Sequence, residues 1–138
     1  MMIGRIERSA QVDFLNQQIS IQVDEGVHVV TFVREGKPPA TQESVRQFFG
    51  GEFFKATADA TFLVVDLCGV NSLDSSSLGP LVQKLRDTSD RHGKMVLAGV
   101  QSPALREIFA LTRFDKVFPI YADRVSAVQA LKALRGGV

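Results

Sequence analysis

Residues 61–85 read TFLVVDLCGVNSLDSSSLGPLVQKL, and this stretch decides the fold. Residues 61–67 form a short run with no polar break until Asp66, the pattern of a central strand buried on both faces. Beyond it, Leu78, Leu81, Val82 and Leu85 recur at i, i+3, i+4 and i+7 while Gln83, Lys84, Arg86 and Asp87 face away. That spacing predicts an amphipathic helix, stopped near His92-Gly93. Between strand and helix lies Leu73-Asp74-Ser75-Ser76-Ser77-Leu78-Gly79, a hydroxyl-rich corner. A strand that turns straight into a helix leaves these hydroxyls at the helix N-terminus, where unpaired N–H groups and the helix dipole favour negative charge. A phosphate group suits that position.

Working outward, residues 94–99 give a second buried strand, and Ser102-Pro103 opens a helix with Ser at the N-cap and Pro at the first position. Leu105, Ile108, Phe109 and Thr112 are its expected buried face. Val117, Phe118 and Ile120 mark one more short strand within residues 114–120, and Asp123 caps a last helix with Val125, Val128, Leu131 and Leu134 inward. Towards the N-terminus, residues 18–23 alternate polar and apolar, Asp24-Glu25-Gly26 makes an acidic turn, and residues 27–33 are rich in β-branched side chains. Together they read as a hairpin. Residues 34–40 contain two prolines and form a loop. Thr41 offers an N-cap for a helix from about Gln42, with Val45, Phe48 and Phe49 on one face. Gly50-Gly51 weakens that helix and leaves residues 52–56 as a second turn or a frayed end. Phe53 and Phe54 fit the core better than a docking face. Residues 1–16 keep neither period and read as an irregular arm before a unit spanning residues 17–138.

The order is β-β-α-β-α-β-α-β-α, an α/β domain with one mixed, mostly parallel sheet of about five strands and about four helices. One-sided alternation in the first strand predicts helices on a single face of the sheet.

Composition narrows the function. A chain of 138 residues with 45% hydrophobic content supports one core. Sixteen Lys+Arg against fifteen Asp+Glu leave a formal charge of +1 without a basic run, which argues against nucleic acid or an anionic membrane as partner. Cys68 is the only cysteine, so no internal disulfide forms; it reads as a small core residue in a reducing, cytoplasmic setting. No window resembles a signal peptide or a membrane span. Catalytic equipment is not legible either. His28 falls inside a strand and His92 at the far end of the helix that Ser75 would start, no G-x-S-x-G elbow occurs, and no His/Cys grouping has metal-ligand spacing. Gly36, Gly50-Gly51 and Gly136-Gly137 lack the strand–glycine–helix context of a phosphate loop. Asp66 ends a strand and Asp74 caps a helix, so they do not read as an acid/base pair. No cofactor and no enzymatic activity are expected.

The run VVDLCGVNSLDSSSLGPLVQKL resembles the signature of STAS domains, particularly bacterial anti-sigma-factor antagonists, in which a strand ending in Asp leads to Asp-Ser-Ser/Thr-Gly-Leu-Gly and a helix. The run SPALREIFALTRFDKVFPIYADRVSAVQAL is similar to the family as well, and the likeness covers about residues 17–135. It implies that Ser75, directly after Asp74, is the phosphoacceptor, with Ser76 the alternative. It also implies that Asp74, Ser75, Ser76, Ser77, Leu78 and Gly79 meet the partner. The implied partners are an anti-sigma factor that is also a serine kinase, bound when the serine is unmodified, and a PP2C-type phosphatase that resets the switch. A non-phosphorylated STAS binding or scaffold subunit of a transport or stress-sensing assembly is the alternative. The chain departs from the family at Ser77, where Gly is usual, at Pro80 inside the helix, and at Pro38, which matches an acidic position for which Glu35 is the nearest acid. Pro80 predicts either a distorted N-terminus or a helix that starts at Pro80 itself. Beside the corner, Gln83 and Arg86 are candidates for the docking face.

Overall fold

The computed structural model describes residues 6–14, 17–32, 42–70, 73 and 75–136. Strand β1 (Ile6–Phe14), β2 (Gln17–Asp24) and β3 (Val27–Phe32) form an antiparallel meander. Then β4 (Phe62–Asp66), β5 (Lys94–Ala98) and β6 (Ile120–Tyr121) join in parallel, giving one mixed sheet in chain order. Strand β4 is buried on both faces as its sequence predicts: Leu63 and Val65 enter one hydrophobic cluster and Val64 the other. Successive strand side chains point to opposite faces, so a strand with no polar break must be covered twice.

The helical elements are α1 (Gln42–Gln47), a π-helical turn (Phe48–Glu52), α2 (Phe53–Ala56), α3 (Ser75–Asp90), α4 (Pro103–Thr112), α5 (Phe114–Val117) and α6 (Arg124–Gly136). Residues from every helical element before α6 pack against Ile19, Ile21, Val30, Phe32, Leu63, Val65, Met95 and Leu97 on one side of the sheet. Helix α6 covers the other side, where Ala127, Val128 and Leu131 meet Val27, Val29, Val64, Val96 and Ala98. Helices therefore lie on both faces, not on one. The one-sided pattern of β2 holds for that strand and not for β4 and β5, which are covered on both faces.

Several other local expectations are corrected. Ile6–Phe14, inside the predicted irregular arm, is a strand paired with β2 from Ile6 opposite Asp24 to Phe14 opposite Gln17. Pairing with a formed neighbour supplies the order that its own weak alternation does not announce. The last short strand is only Ile120–Tyr121. Residues 114–117 form a helical turn after Arg113 in the left-handed region, and Phe118 is buried and extended before Pro119. In α6, Val125 and Leu134 are exposed and Ala127 takes the inner position, while Thr112 in α4 is exposed and bonds the Ile108 carbonyl. Lys84, expected outside, is buried: its Nζ donates to the Thr57 carbonyl at 2.6 Å, just past α2, and pairs with Asp87 at 3.1 Å. A backbone carbonyl at a helix C-terminus and a carboxylate together offset the burial of the ammonium. Thr41, Glu35 and Pro38 lie outside the described residues.

Other readings stand as made. Glu25 and Gly26 both take positive φ, +52° and +84°, as a two-residue hairpin turn requires. Lys132 of α6 clamps this turn by ion pairs to Asp24 at 2.9 Å and Glu25 at 3.0 Å. Ser102 caps α4 through the Leu105 N–H, and Asp123 caps α6 through the Ser126 N–H at 2.8 Å, which holds the Asp123 carboxyl below its ordinary pKa.

The glycine pair does not stop the helix that begins at Gln42. Instead the backbone widens into the π turn, with the Phe53 N–H bonding the Phe48 carbonyl, and the helix resumes. Phe48, Phe49 and Phe53 are all fully buried. Their rings meet edge-on, with centroids 5.0 Å apart for Phe49 and Phe53 and 5.7 Å for Phe32 and Phe48. Replacing Phe49 by Ala should cost about 3–5 kcal/mol in urea unfolding, whereas a loss below about 1 kcal/mol would contradict this packing.

Candidate functional site: the corner after β4 and the outer face of α3

Strand β4 ends at Asp66, in register with Thr31 of β3 and Ala98 of β5. The Asp66 carboxylate is buried and accepts the Cys68 N–H at 3.0 Å, so the side chain braces its own turn. The Leu67 N–H donates to the Ala98 carbonyl at 2.8 Å, the Val70 N–H to the Leu67 carbonyl at 2.9 Å, and Gly69 takes φ +100°. At Gly99 an added Cβ would come within 2.6 Å of Asp66 Oδ1, so a glycine is needed beside the carboxylate. Cys68 is half-buried, not a core residue, with Sγ 3.7 Å from Gln101 Oε1. Burial raises the Asp66 pKa above the ordinary aspartate value near 3.8, opposed by the Cys68 N–H bond and the Arg124 charge.

Leu73 is buried and anchors the chain just before the corner. Asp74 lies outside the described residues. Helix α3 starts at Ser75 and carries Pro80 within it, so the alternative of an extended corner with the helix starting at Pro80 is corrected. Pro80 has no N–H to give to the Ser76 carbonyl, yet its sixth position in the helix is close enough to the end for the other bonds to carry the turn.

Helix geometry, about 100° per residue, sorts the three serines. Ser77 falls on the inner face with Leu81, Lys84 and Thr88, and all four are buried. Its Oγ has no hydrogen-bond partner among the described residues. Ser76 is exposed. Position 75 shares a face with Gly79, Val82 and Arg86. Leu78 is buried, so Ser77 and Leu78 support the corner from behind while Ser76 and Gly79 front it.

That outer face is open and shallow. A groove of about 700 Å³ is lined, among the described residues, by Gly79, Val82, Gln83, Arg86, Asp87 and Asp90. An added Cβ at Gly79 would meet nothing within 4 Å. Asp87 is held by Lys84 at 3.1 Å and Arg91 at 3.4 Å, whereas the side chains of Gln83, Arg86 and Asp90 have no partner among the described residues. Gln83 and Arg86 are the two residues the sequence nominated; Val82, Asp87 and Asp90 were missed. Their signal is helical spacing from the corner: Val82 and Asp90 at i+7 and i+15 from Ser75, and Asp87 at i+11 from Ser76. Phe53 is core, and Phe54 is partly buried against it. His28 is buried, with Nε2 3.3 Å from Asp59 Oδ1 on a different part of the molecule, and His92 takes φ +63° just past the end of α3.

An open mixed sheet in chain order, covered on both faces and turning from β4 through a serine corner into α3, defines a STAS-type architecture. The STAS domain model matches residues 9–127, and the chain belongs to that family. It is similar to an anti-sigma-factor antagonist (STAS) domain protein from Planctomyces limnophilus, at 26% identity over 83% of this chain and 97% of that one, with a TM-score of 0.69. The same fold is found in an anti-sigma factor antagonist from Mycobacterium paratuberculosis (24% identity, 91% of this chain, 95% of that one, TM-score 0.59). It recurs in the anti-sigma factor antagonist SpoIIAA in its unphosphorylated form (16%, 97%, 99%, TM-score 0.52). No helix among the described residues is long and apolar enough to cross a membrane.

Two measurements test the corner. A carboxyl whose folded pKa lies above its unfolded one binds its proton more tightly when folded. Its stabilising contribution is therefore complete below the ordinary value and lost as pH rises through the folded pKa. Asp66→Asn keeps an oxygen for the Cys68 N–H, so it should flatten this fall in a pH series of unfolding curves and be at least as stable as the parent at neutral pH; an unchanged fall with pH would contradict the assignment. Ser77→Ala removes a buried hydroxyl that lacks a partner and should raise stability by about 1 kcal/mol, with a loss of similar size as the contrary result.

Proposed function

We propose that this chain is a cytoplasmic partner-switching regulator of the anti-sigma-factor-antagonist kind. Unmodified, it binds an anti-sigma factor that is also a serine kinase; phosphorylation of Ser75 ends the interaction, and a PP2C-type phosphatase restores it. The observation that carries this reading is the position of Ser75: first residue of α3, on the helix face that continues into an open groove, in a chain of the STAS family. Ser76 is exposed and stands in line with Gly79, Gln83 and Asp87, so it remains the alternative acceptor, whereas Ser77 is buried and a kinase would have to unwind the helix to reach it.

The chemistry asks little of this chain, because the kinase brings its own base and metal. Phosphate adds about −1.5 to −2 charge at pH 7, a strongly hydrated group at the centre of the docking face. Its cost to binding is desolvation and repulsion from acidic groups of the partner. At the first turn of a helix the same charge is tolerated or favoured by the dipole, so the fold itself need not change. Ser77 and Pro80 favour a second reading, a binding or scaffold subunit of a transport or stress-sensing assembly that is never phosphorylated, since both depart from the family pattern at the modified corner.

Phosphate-affinity gels of the native protein decide between them. The switching role predicts a retarded band that phosphatase removes and that Ser75→Ala lacks. A retarded band that persists in Ser75→Ala would overturn the site, and no retarded band under any growth condition would support the scaffold reading.

A further inference from the structure

We propose that the outer edge of β1 pairs with β1 of a second copy of this chain, antiparallel and about a two-fold axis at Gln11. The inference is independent of the role given to Ser75. Chain order makes β1 and β6 the two edges of the sheet, and the two are unlike. Strand β6 is two residues long and follows Pro119, which has no N–H to offer, so little of that edge can pair. Strand β1 is nine residues long, contains neither proline nor lysine, and pairs with β2 alone among the described strands.

The register tells which backbone groups face the outer edge. Glu25 and Gly26 both take positive φ, so the pair that closes their two-residue turn, Asp24 and Val27, exchanges both hydrogen bonds. Bonding alternates along an antiparallel strand, so Asp24, Gln22 and Ser20 bond to β3 while Val23, Ile21 and Ile19 bond to β1. Opposite those three stand Arg8, Ala10 and Val12; Ser9, Gln11 and Asp13, alternating with them, turn N–H and C=O away from β2. Such a row of donors and acceptors at strand spacing is matched by another strand, not by a helix.

Symmetry makes that strand a copy of β1. The bulge between Ile6 and Arg8 leaves a regular run from Arg8 to Phe14, and its midpoint is Gln11, itself an outward residue. Turned on itself about that point, the run pairs over its whole length with about six backbone hydrogen bonds. Ser9 falls opposite Asp13 of the copy, Ala10 opposite Val12 and Arg8 opposite Phe14, so no like charges meet. A two-fold at Ala10 instead sets Glu7 opposite Asp13, acid against acid. The contact is isologous and therefore closes at two copies. Strands β2 and β3 stand between this edge and β4, so pairing leaves the serine corner free.

Sedimentation equilibrium of the full chain, from micromolar to millimolar concentration, should show a monomer–dimer equilibrium. Ser9→Lys sets a lysine opposite Asp13 twice in each pair and should tighten the dimer about threefold or more at low salt. Gln11→Lys sets two lysines face to face on the axis and should weaken it by a similar factor. Gln11→Pro removes an outward N–H and none that β2 uses, so it should abolish the dimer while the circular dichroism of the parent persists. If that variant fails to fold, the opposite signs of the two lysine variants still decide. A chain that stays monomeric throughout, a dimer that a folded Gln11→Pro leaves intact, or lysine variants that move the equilibrium in one direction or not at all would each overturn the proposal.

Discussion

Strand β4 must be covered on both faces, because Leu63, Val64 and Val65 leave it no polar side. One cluster covers it with the helices from α1 to α5, the other with α6. The chain can leave such a strand only at its end, where Asp66 braces the turn and Leu67, fully buried, is tied to Ala98 of the neighbouring strand. The corner is thereby delivered to one place at the C-terminal edge of the sheet. Leu73 before it and Leu78 after it are both buried, so the start of α3 is anchored on each side, with Ser77 turned inward and Ser76 outward.

The helix that follows has two unlike sides. Its inner side is locked: Leu81 sits in the core, Thr88 bonds the Leu85 carbonyl at 2.9 Å, and Lys84 reaches the end of α2. Thr57, whose carbonyl receives Lys84, is itself tied to Phe53 by its hydroxyl at 2.7 Å, linking α3 to the phenylalanine cluster. The outer side carries an open groove and, in Gln83, Arg86 and Asp90, side chains with no partner among the described residues. A modification on the outer side can change what docks there without disturbing the packing beneath, which is the separation a partner switch needs.

Much of this was legible because the sequence pattern and the final environment agree. The buried strand, the amphipathic helix, the Ser102 and Asp123 caps and the acidic hairpin turn each depend on a few neighbouring residues. What was not legible depended on contacts distant in sequence. Lys84 looks like a solvated lysine until α2 brings a carbonyl to it, and β1 looks irregular until β2 pairs with it. Gly50-Gly51 reads as a break because glycine weakens helices, yet the phenylalanines on either side hold the segment helical through a wider turn. At the site, the family resemblance singled out Ser75 and the helical pattern Gln83 and Arg86, while the inward side of Ser77 follows from the helix starting at Ser75 and not at Pro80.

The central claim is that phosphate at Ser75 changes the docking face and leaves the fold intact. Hydrogen exchange on the full chain, prepared with and without phosphoserine incorporated at position 75, reads this directly. The account predicts the same slow exchange in β4, β5 and the part of α3 from Leu81 to Asp90 in both forms, with differences confined to the first turn of α3 and the adjoining corner. Loss of protection through α3 and the strands beneath it would contradict the account, since the switch would then work by unfolding.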